Sequence, residues 1–490
     1  MSAPTEPVAY ANWVREHHWR PSNCVWEITL ACNLDCVHCG SRAGQARADE
    51  LSTEEALRVV RQLAAMGCER LTLSGGEPTM RADWAQLAAE ATAHGVYCNM
   101  ISNGAYSASR AVEVARKALA SGMGNIGVSI DGTKDTHDAL RGRNSFDLVI
   151  SSAKTFMEQG LKVAVLTSVS KPNLAELDAI HDLLAELGVS IWRLQLTVPM
   201  GNMSAHRDLL LEPRQILDLM PKLAGIQKRS RMHVMLSDSV GYYGPYDAAL
   251  RGTKQKRGKT CWQGCQAGMR VLGIEADGDV KGCLSLQADG AERWVEGNLR
   301  TQSLEEIWNR PGAFAYNREF ELEDLTGACS ACRYAAMCKG GSRCTSAAVL
   351  GVMTEDPFCY HAQDELRRRR HGFRPAATAA AAAALLMAAA PLGCDSDSEV
   401  KYGLPQDDVE LSDVADTDAE QDQQVDVQPP YGLPDDFGDS QQKYGVPEDF
   451  EDVQPPYSVP DEYEDVEPPY SLPPDEDPEV DERYGLPPDP

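Results

Sequence analysis

The sequence predicts an α/β fold built on a parallel sheet, and two observations predict it. Apolar segments of strand and helix type alternate along residues 25–196, and short polar motifs follow several of the strands. Such alternation is typical of a parallel sheet with helices packed outside it, and cofactors on these sheets bind at the carboxyl ends of the strands. A third observation, an abrupt change of composition past Leu366, indicates that the folded part ends there.

The predicted elements follow one another in order, after an N-terminal segment, 1–20, that carries no strong signal. Residues 25–31 form the first predicted strand, and a helix begins at Thr53-Glu54-Glu55, because apolar residues recur behind it at helical spacing. The later predicted strands are 71–74, 97–101, 126–130, 163–168 and 192–196. The helices between them are 85–93, 111–119, 148–158 and 174–187.

Three cysteines, Cys32, Cys36 and Cys39, have the spacing C-x₃-C-x₂-C in the loop after the first strand. This spacing brings three thiolates to one point and leaves a fourth coordination position without a protein ligand. A 4Fe–4S cluster held in this way keeps one iron open to bind another molecule. A structural zinc site would normally fill that position with Cys or His, and His38 is the candidate inside the loop. The spacing favours the open cluster over zinc.

Further motifs follow the later strands: Ser74-Gly75-Gly76-Glu77-Pro78, Ile101-Ser102-Asn103-Gly104, and Gly127-Val128-Ser129-Ile130-Asp131-Gly132, then His137-Asp138 and Arg141-Gly142. In this order after the cysteine motif, they resemble those of the radical S-adenosylmethionine (radical SAM) enzymes over about residues 20–360. The resemblance implies a partial (β/α)₆ barrel, open at one side, which suits a large substrate.

The resemblance also implies the cofactors. The open iron of the cluster binds the amino and carboxylate groups of SAM, and reduction then cleaves SAM to methionine and a 5′-deoxyadenosyl radical. By this resemblance Gly75, Gly76 and Glu77 hold the methionine end, and Ser129 and Asp131 lie near the ribose or carboxylate. The full set of implied cofactor-binding residues is Gly75, Gly76, Glu77, Pro78, Asn103, Ser129 and Asp131. No general base is assigned, and Arg193 is interpreted as a SAM or structural contact.

Eight of the fifteen cysteines lie between 261 and 359, a number that suits two four-thiolate sites. The alternatives are disulfides, which conflict with a reduced open cluster, and two structural zinc ions. The pattern resembles the SPASM extension of radical SAM peptide maturases, which implies two auxiliary 4Fe–4S clusters. That family usually has a further Cys where this chain has Ser342. The implied ligand sets are Cys261, Cys265, Cys283 and Cys344 for one cluster, and Cys329, Cys332, Cys338 and Cys359 for the other.

Three cysteines, Cys24, Cys68 and Cys98, fit no ligand spacing and are predicted to be buried small hydrophobes.

The predicted domains are the radical SAM barrel at 21–235, the SPASM-like domain at 236–365, a basic then alanine-rich segment at 366–394, and a tail at 395–490. The third of these ends in Leu-Gly-Cys394 and resembles a lipoprotein signal in an unusual position. It predicts either membrane association through 375–394, a helical linker, or a fused lipoprotein lipidated at Cys394.

The tail carries 31 Asp and Glu against three Lys and Arg, which accounts for the net charge of −28 of the whole chain. This composition predicts disorder. The remaining residues are neutral overall, which gives no basic excess for nucleic acid. The tail repeats the pattern Y-[GS]-[LV]-P, with Asp or Glu within two residues after each Pro. The repeats begin at Tyr402, Tyr431, Tyr444, Tyr457, Tyr470 and Tyr484.

These features predict a radical SAM enzyme that modifies a peptide or protein, with its own tail as a built-in substrate and Tyr as the candidate modified residue. Fusion would place the repeats at an effective concentration of roughly millimolar. A second hypothesis is maturation of a separate peptide or protein, such as a sulfatase, with the tail as a docking or display segment. A third is a non-catalytic iron–sulfur scaffold. The expected electron donor is a flavodoxin or ferredoxin, and the expected compartment is the cytoplasm.

Overall fold

The computed structural model describes residues 3–237, 239–251, 262–287 and 291–370. The strands within these ranges are β1 (Asn23–Glu27), β2 (Arg70–Ser74), β3 (Tyr97–Ser102), β4 (Asn125–Ser129), β5 (Lys162–Val169), β6 (Ile191–Leu196), β7 (His233–Leu236), β8 (Val271–Ile274), β9 (Asp279–Lys281) and β10 (Gly297–Asn298).

The helices in the first part of the described chain are α1 (Pro7–Glu16), α2 (Thr53–Ala65), α3 (Trp84–Ala93), α4 (Ala108–Ala120), α5 (Lys134–Arg141), α6 (Ser145–Glu158), α7 (Lys171–Leu174), α8 (Leu177–Leu187) and α9 (Ile216–Arg229). Those in the second part are α10 (Asp247–Arg251), α11 (Leu304–Trp308), α12 (Ala315–Arg318), α13 (Ala335–Cys338), α14 (Arg343–Leu350) and α15 (Tyr360–Arg370).

All of these strands belong to one sheet with the order β10-β9-β8-β1-β2-β3-β4-β5-β6-β7. The strands from β1 to β7 run parallel, each beside the next in the chain. Helices connect every consecutive pair of them. The predicted α/β class and its parallel sheet are therefore confirmed. No pairing joins β7 to β10 in the described part of the chain, so the sheet is open there.

The cysteine-rich region is continuous with this sheet. β8 pairs in parallel with β1, from Asn23 opposite Val271 to Trp26 opposite Ile274. β9 and β10 then add antiparallel strands outside it. The sequence pattern predicts no strand beyond Leu196 and does not predict this extension, because the pairing of β1 with β8 joins residues almost 250 positions apart.

Local signals explain where several elements begin and end. Ser52 and Glu55 form the capping box of α2, which begins at Thr53 as predicted. The helix α1 was not predicted from the sequence, although Pro7 occupies its first turn and Tyr10 and Val14 are its buried residues. This short helix owes its position to tertiary packing, since the Tyr10 hydroxyl donates to the carbonyl of Ala313.

The boundary predicted between 365 and 366 falls inside α15, which continues to Arg370. Arg367 and Arg368 both pair with Asp364 one helical turn earlier, at 2.5 and 2.7 Å. Such pairs stabilise a helix end where the sequence alone suggested a break. The alanine-rich segment, Cys394 and the tail with its six repeat tyrosines lie outside the described residues. Where the chain is described, its helices are too short or too polar to span a bilayer.

The three cysteines that fit no ligand spacing are buried as predicted. Cys24 and Cys98 have no exposed surface, and Cys68 is 5% exposed. Burial raises the pKa of the Cys68 thiol to about 12, so the neutral thiol is favoured. Cys24 and Cys68 belong to the same apolar core as the strand residues Trp26 and Leu71. These thiols act as small apolar side chains in the core.

Candidate functional site

The loop between β1 and α2 carries Cys32, Cys36 and Cys39, and all three partly exposed side chains line one cavity of about 310 Å³. Backbone hydrogen bonds shape this loop: the Cys39 N–H donates to the Cys36 carbonyl, and the Cys32 N–H donates to the Gly44 carbonyl. The Ala43 N–H lies 3.3 Å from the Cys39 sulfur. The cysteine spacing thus brings three thiols to one cavity.

The rest of this cavity is formed at the carboxyl ends of neighbouring strands, as the sequence predicted. Gly75 and Gly76 follow β2, Asn103 follows β3, and Ser129 ends β4, and each of them lines the cavity. Asn103 also reaches the cluster loop, since its Nδ2 lies 3.8 Å from the Cys32 sulfur. These four residues and the three cysteines are predicted members of the SAM site that the fold places around one volume, and Cys283 of the auxiliary set lines it too.

The two glycines lie tightly against the start of the cluster loop. A Cβ on Gly75 would lie 2.3 Å from the carbonyl oxygen of Thr29, and one on Gly76 would lie 2.4 Å from that of Ala31. The Gly76 N–H donates to Thr29 at 2.8 Å, and the Glu77 N–H donates to Ala31 at 2.7 Å. Glycine is therefore required here by the chain's own backbone, a reason additional to the approach of SAM.

Glu77 lies behind the cavity wall. Its side chain is fully buried and does not line the cavity. Oε1 accepts hydrogen bonds from the hydroxyls of Tyr106 and Thr79 at 2.6 and 2.9 Å. Oε2 accepts from the Ser102 hydroxyl at 3.0 Å and the Asn103 N–H at 2.9 Å. The carboxylate joins the loops after β2 and β3.

Pro78 is also buried behind the cavity wall, where it begins the short 3₁₀ turn Pro78–Met80. Glu77 precedes that turn, and its side chain accepts from the Thr79 N–H at 3.1 Å. The two residues shape the loop that carries Gly75 and Gly76.

Asp131 also lies behind the cavity wall. Its carboxylate is fully buried, does not line the cavity, and accepts from Arg141 Nε at 2.5 Å and from the Ser168 N–H at 2.7 Å. His38 Nε2 lies 2.8 Å from the same carboxylate. Burial alone would raise the pKa of this carboxyl, but the charge of Arg141 and the contact with His38 outweigh it and hold the pKa far below its usual range. Asp131 therefore positions the cluster loop and Arg141 as a buried anion.

Two charged residues that line the cavity, Glu27 and Arg141, were not selected as site residues. Arg193, which the sequence analysis interpreted as a SAM or structural contact, lines it too. Glu27 ends β1 and is 3% exposed, and its burial raises the pKa of its carboxyl to about 7 although the Ser41 hydroxyl opposes this. The signal that could have found Glu27 is a charged residue in the last position of a buried strand, because such positions open onto this edge of the sheet.

A second cavity of about 220 Å³ adjoins the first and is lined by Cys265, Cys283 and Cys344. Cys283 lines both cavities, as do His38 and Arg193. The residue at the family's usual cysteine position, Ser342, also lines the second cavity, with its hydroxyl 3.2 Å from the Cys344 sulfur. The fold therefore brings Cys344 into the group predicted for it. Cys261, the fourth predicted member, lies outside the described residues.

The remaining predicted set, Cys329, Cys332, Cys338 and Cys359, surrounds a third, smaller cavity of about 20 Å³. Burial raises the pKa of the Cys329 thiol to about 11 and that of Cys338 to about 12. Buried thiols of this kind reach the thiolate state when a metal replaces the proton, so the donor set suits an iron–sulfur cluster.

None of the described cysteines forms a disulfide. The disulfide framework considered from the sequence is thus not found among them. The described thiols of the cysteine-rich region instead fall into the two groups that the family pattern predicted, one with Cys344 and the other with Cys359.

Comparison with known proteins agrees with this geometry. Two family models match the chain: the radical SAM superfamily over residues 26–184, and the SPASM iron–sulfur cluster-binding domain over residues 265–333. The mycofactocin maturase MftC of Mycobacterium tuberculosis (strain H37Rv) is 30% identical over 367 residues, which cover 73% of this chain and 88% of the relative. The chain belongs to the radical SAM superfamily.

Other relatives of this radical SAM enzyme come from Methanosarcina barkeri. The Fe-coproporphyrin III synthase is 30% identical to this chain, and the match covers 70% of this chain and 88% of the synthase. The AdoMet-dependent heme synthase is 28% identical, and the match covers 70% of this chain and 97% of that synthase. The curated relatives therefore act on more than one kind of substrate.

Solved structures share the fold of this radical SAM enzyme. Streptococcus suis SuiB bound to S-adenosylmethionine is 16% identical, with a TM-score of 0.54, over 71% of this chain and 78% of that one. The structure of anSMEcpe with bound AdoMet is 19% identical, with a TM-score of 0.53, over 71% of this chain and 97% of that one. The radical SAM domain binds a 4Fe–4S cluster and SAM, and the SPASM domain binds auxiliary iron–sulfur clusters.

Proposed function

We propose that this enzyme modifies its own C-terminal repeats by radical chemistry, with Tyr of each Y-[GS]-[LV]-P unit at or near the modified position. The observation that carries the proposal is the tail itself, six near-identical tyrosine-bearing units on the same chain as a radical SAM domain and a SPASM domain. A covalently attached substrate is present at roughly millimolar effective concentration, so weak recognition of each unit suffices.

Two comparisons support a peptide as the substrate class. One relative is a maturase, the mycofactocin maturase MftC. A structure that shares the fold is SuiB bound to its precursor peptide SuiA, with a TM-score of 0.55. The open edge of the sheet agrees with a polymeric substrate, because an extended chain has to reach the cavity from outside.

We assign Cys32, Cys36 and Cys39 as ligands of the SAM-binding cluster. When bound and reduced, SAM and its cluster supply a 5′-deoxyadenosyl radical that abstracts hydrogen from the substrate. We propose that Gly75 and Gly76 hold the methionine end of SAM with their backbone, which lies in place because neither residue has a Cβ to collide with the cluster loop.

Charged and polar groups complete this proposed SAM site. Arg141 lines the cavity and pairs with Asp131 through Nε, and we propose that it faces the SAM carboxylate. Ser129 and Asn103 add a hydroxyl and an amide to the same wall. A guanidinium is the side chain best suited to a carboxylate, because its N–H groups match the two carboxylate oxygens.

We propose that the auxiliary clusters have the ligands predicted from the family pattern, with Cys344 completing the set of Cys261, Cys265 and Cys283. The second set is Cys329, Cys332, Cys338 and Cys359. An open cluster requires reducing surroundings and a low-potential electron donor such as flavodoxin or ferredoxin, which favours the cytoplasm for the enzyme part. Membrane association through 375–394 would tether it there without changing the chemistry.

The test is mass spectrometry of the full-length chain, reconstituted with iron and sulfide under anaerobic conditions and incubated with SAM and a strong reductant. We expect 5′-deoxyadenosine and a mass loss that maps to the repeats. Two controls are matched to it: Cys36→Ser, which removes the radical source, and a chain with Phe at all six repeat tyrosines, which removes the proposed target.

The alternative function gives a different result. Formation of 5′-deoxyadenosine with an unchanged tail would move the substrate to a separate peptide or protein, and the tail would become a docking or display segment. Absence of 5′-deoxyadenosine from a chain that holds its full iron would contradict the enzymatic assignment itself.

A further inference from the structure

Two buried hydrogen-bond donors near the second cavity have no partner within the part of the chain that the structure describes. One is Nη2 of Arg343, which begins α14 and lines this cavity, and the other is the hydroxyl of Tyr316 in α12. A buried donor without an acceptor is costly, so such groups in native proteins normally have one. Two of them at one site indicate an acceptor that is bound there in the active protein.

Arg343 is 1% exposed and is held in place by three of its neighbours. Its Nε donates to the amide oxygen of Asn317 at 2.9 Å, and Nη1 donates to the carbonyl of Met353. Its guanidinium lies 4.0 Å from the centre of the Phe320 ring. These contacts fix the plane of the guanidinium, so the direction of Nη2 is set by the protein itself.

The acidic groups that act most strongly on Arg343 are cysteine thiols. Burial lowers the pKa of Arg343, and the charges of Cys265 and then Cys338 oppose this effect. Cys265 belongs to the ligand set proposed with Cys344, which directly follows Arg343 in the chain. No Asp or Glu is among the described residues that line the second cavity. The remaining guanidinium nitrogen therefore lies among proposed cluster ligands and not beside a carboxylate.

Tyr316 approaches the same ligand set. A Cβ on Gly282 would lie 2.0 Å from the Tyr316 hydroxyl oxygen, so this hydroxyl occupies the space beside the residue that precedes Cys283. Burial raises the pKa of Tyr316 well above its usual value, and the charges of Glu296, Cys265 and Cys283 add to this. The hydroxyl therefore keeps its proton and can donate it to an acceptor held by these cysteines.

The third cavity, which the other ligand set surrounds, has the opposite balance of charge. Asp356 and Glu365 line it, and no Lys or Arg is among the described residues that do so. Burial raises the pKa of Asp356 to about 6, so this carboxyl is ionised above neutral pH. Reduction adds a negative charge to an iron–sulfur cluster, so donors and cations beside it favour reduction and carboxylates oppose it.

We propose that Arg343 and Tyr316 donate hydrogen bonds to the sulfur atoms of the auxiliary cluster held by Cys265, Cys283 and Cys344, and that they raise its reduction potential above that of the other auxiliary cluster. The proposal rests on the ligand sets given under the proposed function and deepens them, because it assigns the two clusters different potentials. Cys283 also lines the cavity of the cluster loop. The better electron acceptor of the two auxiliary clusters therefore lies beside the SAM site.

Potentiometric EPR of the full-length chain, reconstituted anaerobically and titrated with dithionite in mildly alkaline buffer, measures both potentials. Cys36→Ser removes the SAM-binding cluster from every sample. Adding Cys332→Ala leaves the auxiliary cluster with Cys283, and adding Cys265→Ala instead leaves the other one. We expect the cluster with Cys283 to have the higher midpoint potential. The reverse order, or equal potentials, would overturn the proposal.

The two donors are then removed one at a time. Tyr316→Phe deletes only the hydroxyl, and we expect it to disfavour reduction of the cluster with Cys283 about tenfold, which is about 59 mV for a one-electron couple. Arg343→Gln should lower this potential by at least as much, since it removes a charge as well as a donor, and Arg343→Lys should restore part of the loss. A potential that stays unchanged in Tyr316→Phe and Arg343→Gln, at full iron content, would overturn the proposal.

The other auxiliary cluster separates a direct contact from a general disturbance. Tyr316→Phe should leave its potential unchanged, because the thiols that act on Tyr316 belong to the first set. Equal shifts of both clusters in Tyr316→Phe would overturn the direct contact. The matched controls are Tyr97→Phe, at a side chain of β3 that lines neither auxiliary cavity, and Arg214→Gln, at a side chain that is 73% exposed. Both should leave the two potentials unchanged.

Failure of the ligand sets gives a different result from failure of this inference. A Cys36→Ser chain without any auxiliary EPR signal would contradict the ligand sets, and the inference would fall with them. Two auxiliary signals whose potentials do not respond to Tyr316→Phe or Arg343→Gln would leave the ligand sets standing and overturn the inference alone.

Discussion

His38 Nε2 lies 2.8 Å from the carboxylate of Asp131, and this contact joins the cluster loop to the end of β4. The two residues are 93 positions apart, and Arg141 binds the same carboxylate from the end of α5. Asp131 is fully buried, so its charge is balanced by these neighbours and not by water. The geometry of the cluster loop therefore depends on a residue that does not line the cavity.

Asp131→Asn should destabilise the protein by roughly 3–5 kcal/mol, because it breaks the ion pair of a fully buried carboxylate and leaves Arg141, whose side chain is only 12% exposed, without its counter-charge. Denaturant unfolding under anaerobic conditions measures the change. The control is Asp147→Asn, at a carboxylate that is 68% exposed and pairs with Lys134; it should cost less than about 1 kcal/mol. Equal effects of the two substitutions would contradict the positioning role.

Gly76→Ala should remove the SAM-binding cluster and keep the auxiliary ones, because its Cβ would lie 2.4 Å from the Ala31 carbonyl and displace the cluster loop. Iron analysis should show about four fewer irons per chain, with loss of SAM binding. Gly44→Ala in the same loop has no atom within 4 Å of the added Cβ and should behave as wild type. Full iron content in Gly76→Ala would refute the steric argument.

Cys344→Ser should lose one auxiliary cluster, about four irons per chain, whereas Ser342→Ala should keep it. The reason is that Cys344 shares its cavity with Cys265 and Cys283, while the Ser342 hydroxyl lies 3.2 Å from the Cys344 sulfur as its neighbour. Mössbauer spectroscopy of the two variants measures the cluster content. The opposite pattern would make Ser342 the ligand.

Glu27 should make stability depend on pH. Burial raises the pKa of its carboxyl from 4.5 to about 7, so the folded state binds the proton more tightly than the unfolded state does. The protonated carboxyl favours the folded state, so the stabilisation by Glu27 is complete below pH 4.5 and is lost as the pH rises through 7. Relative to Glu27→Gln, the wild type should lose on the order of 3 kcal/mol across this window.

Denaturant unfolding at several pH values between about 4.5 and 8 measures this difference for Glu27. Glu54→Gln, at a carboxylate that is 87% exposed, serves as the matched control. Parallel pH profiles for wild type and Glu27→Gln would show that the buried carboxyl keeps its ordinary pKa.

The cysteine spacing and the motifs at strand ends determine much of the site by themselves. Cys32, Cys36, Cys39, Gly75, Gly76, Asn103 and Ser129 all line the predicted cavity. Local patterns suffice for them, because a parallel sheet brings the ends of its strands to one edge. The grouping of the later cysteines followed from the family pattern in the same way, including the displaced Cys344.

Only the tertiary structure decided what the acidic residues of those motifs do. Glu77 and Asp131 are both buried in hydrogen bonds with other loops, and their contact with SAM stays a prediction. The sequence also did not reveal that β8 pairs with β1, or that Arg193 and Arg343 line one cavity. The sequence by itself determined which groups stand at the ends of the strands, since spacing and period are local. The direction of each side chain, and its burial, depended on partners far along the chain that only folding brings together.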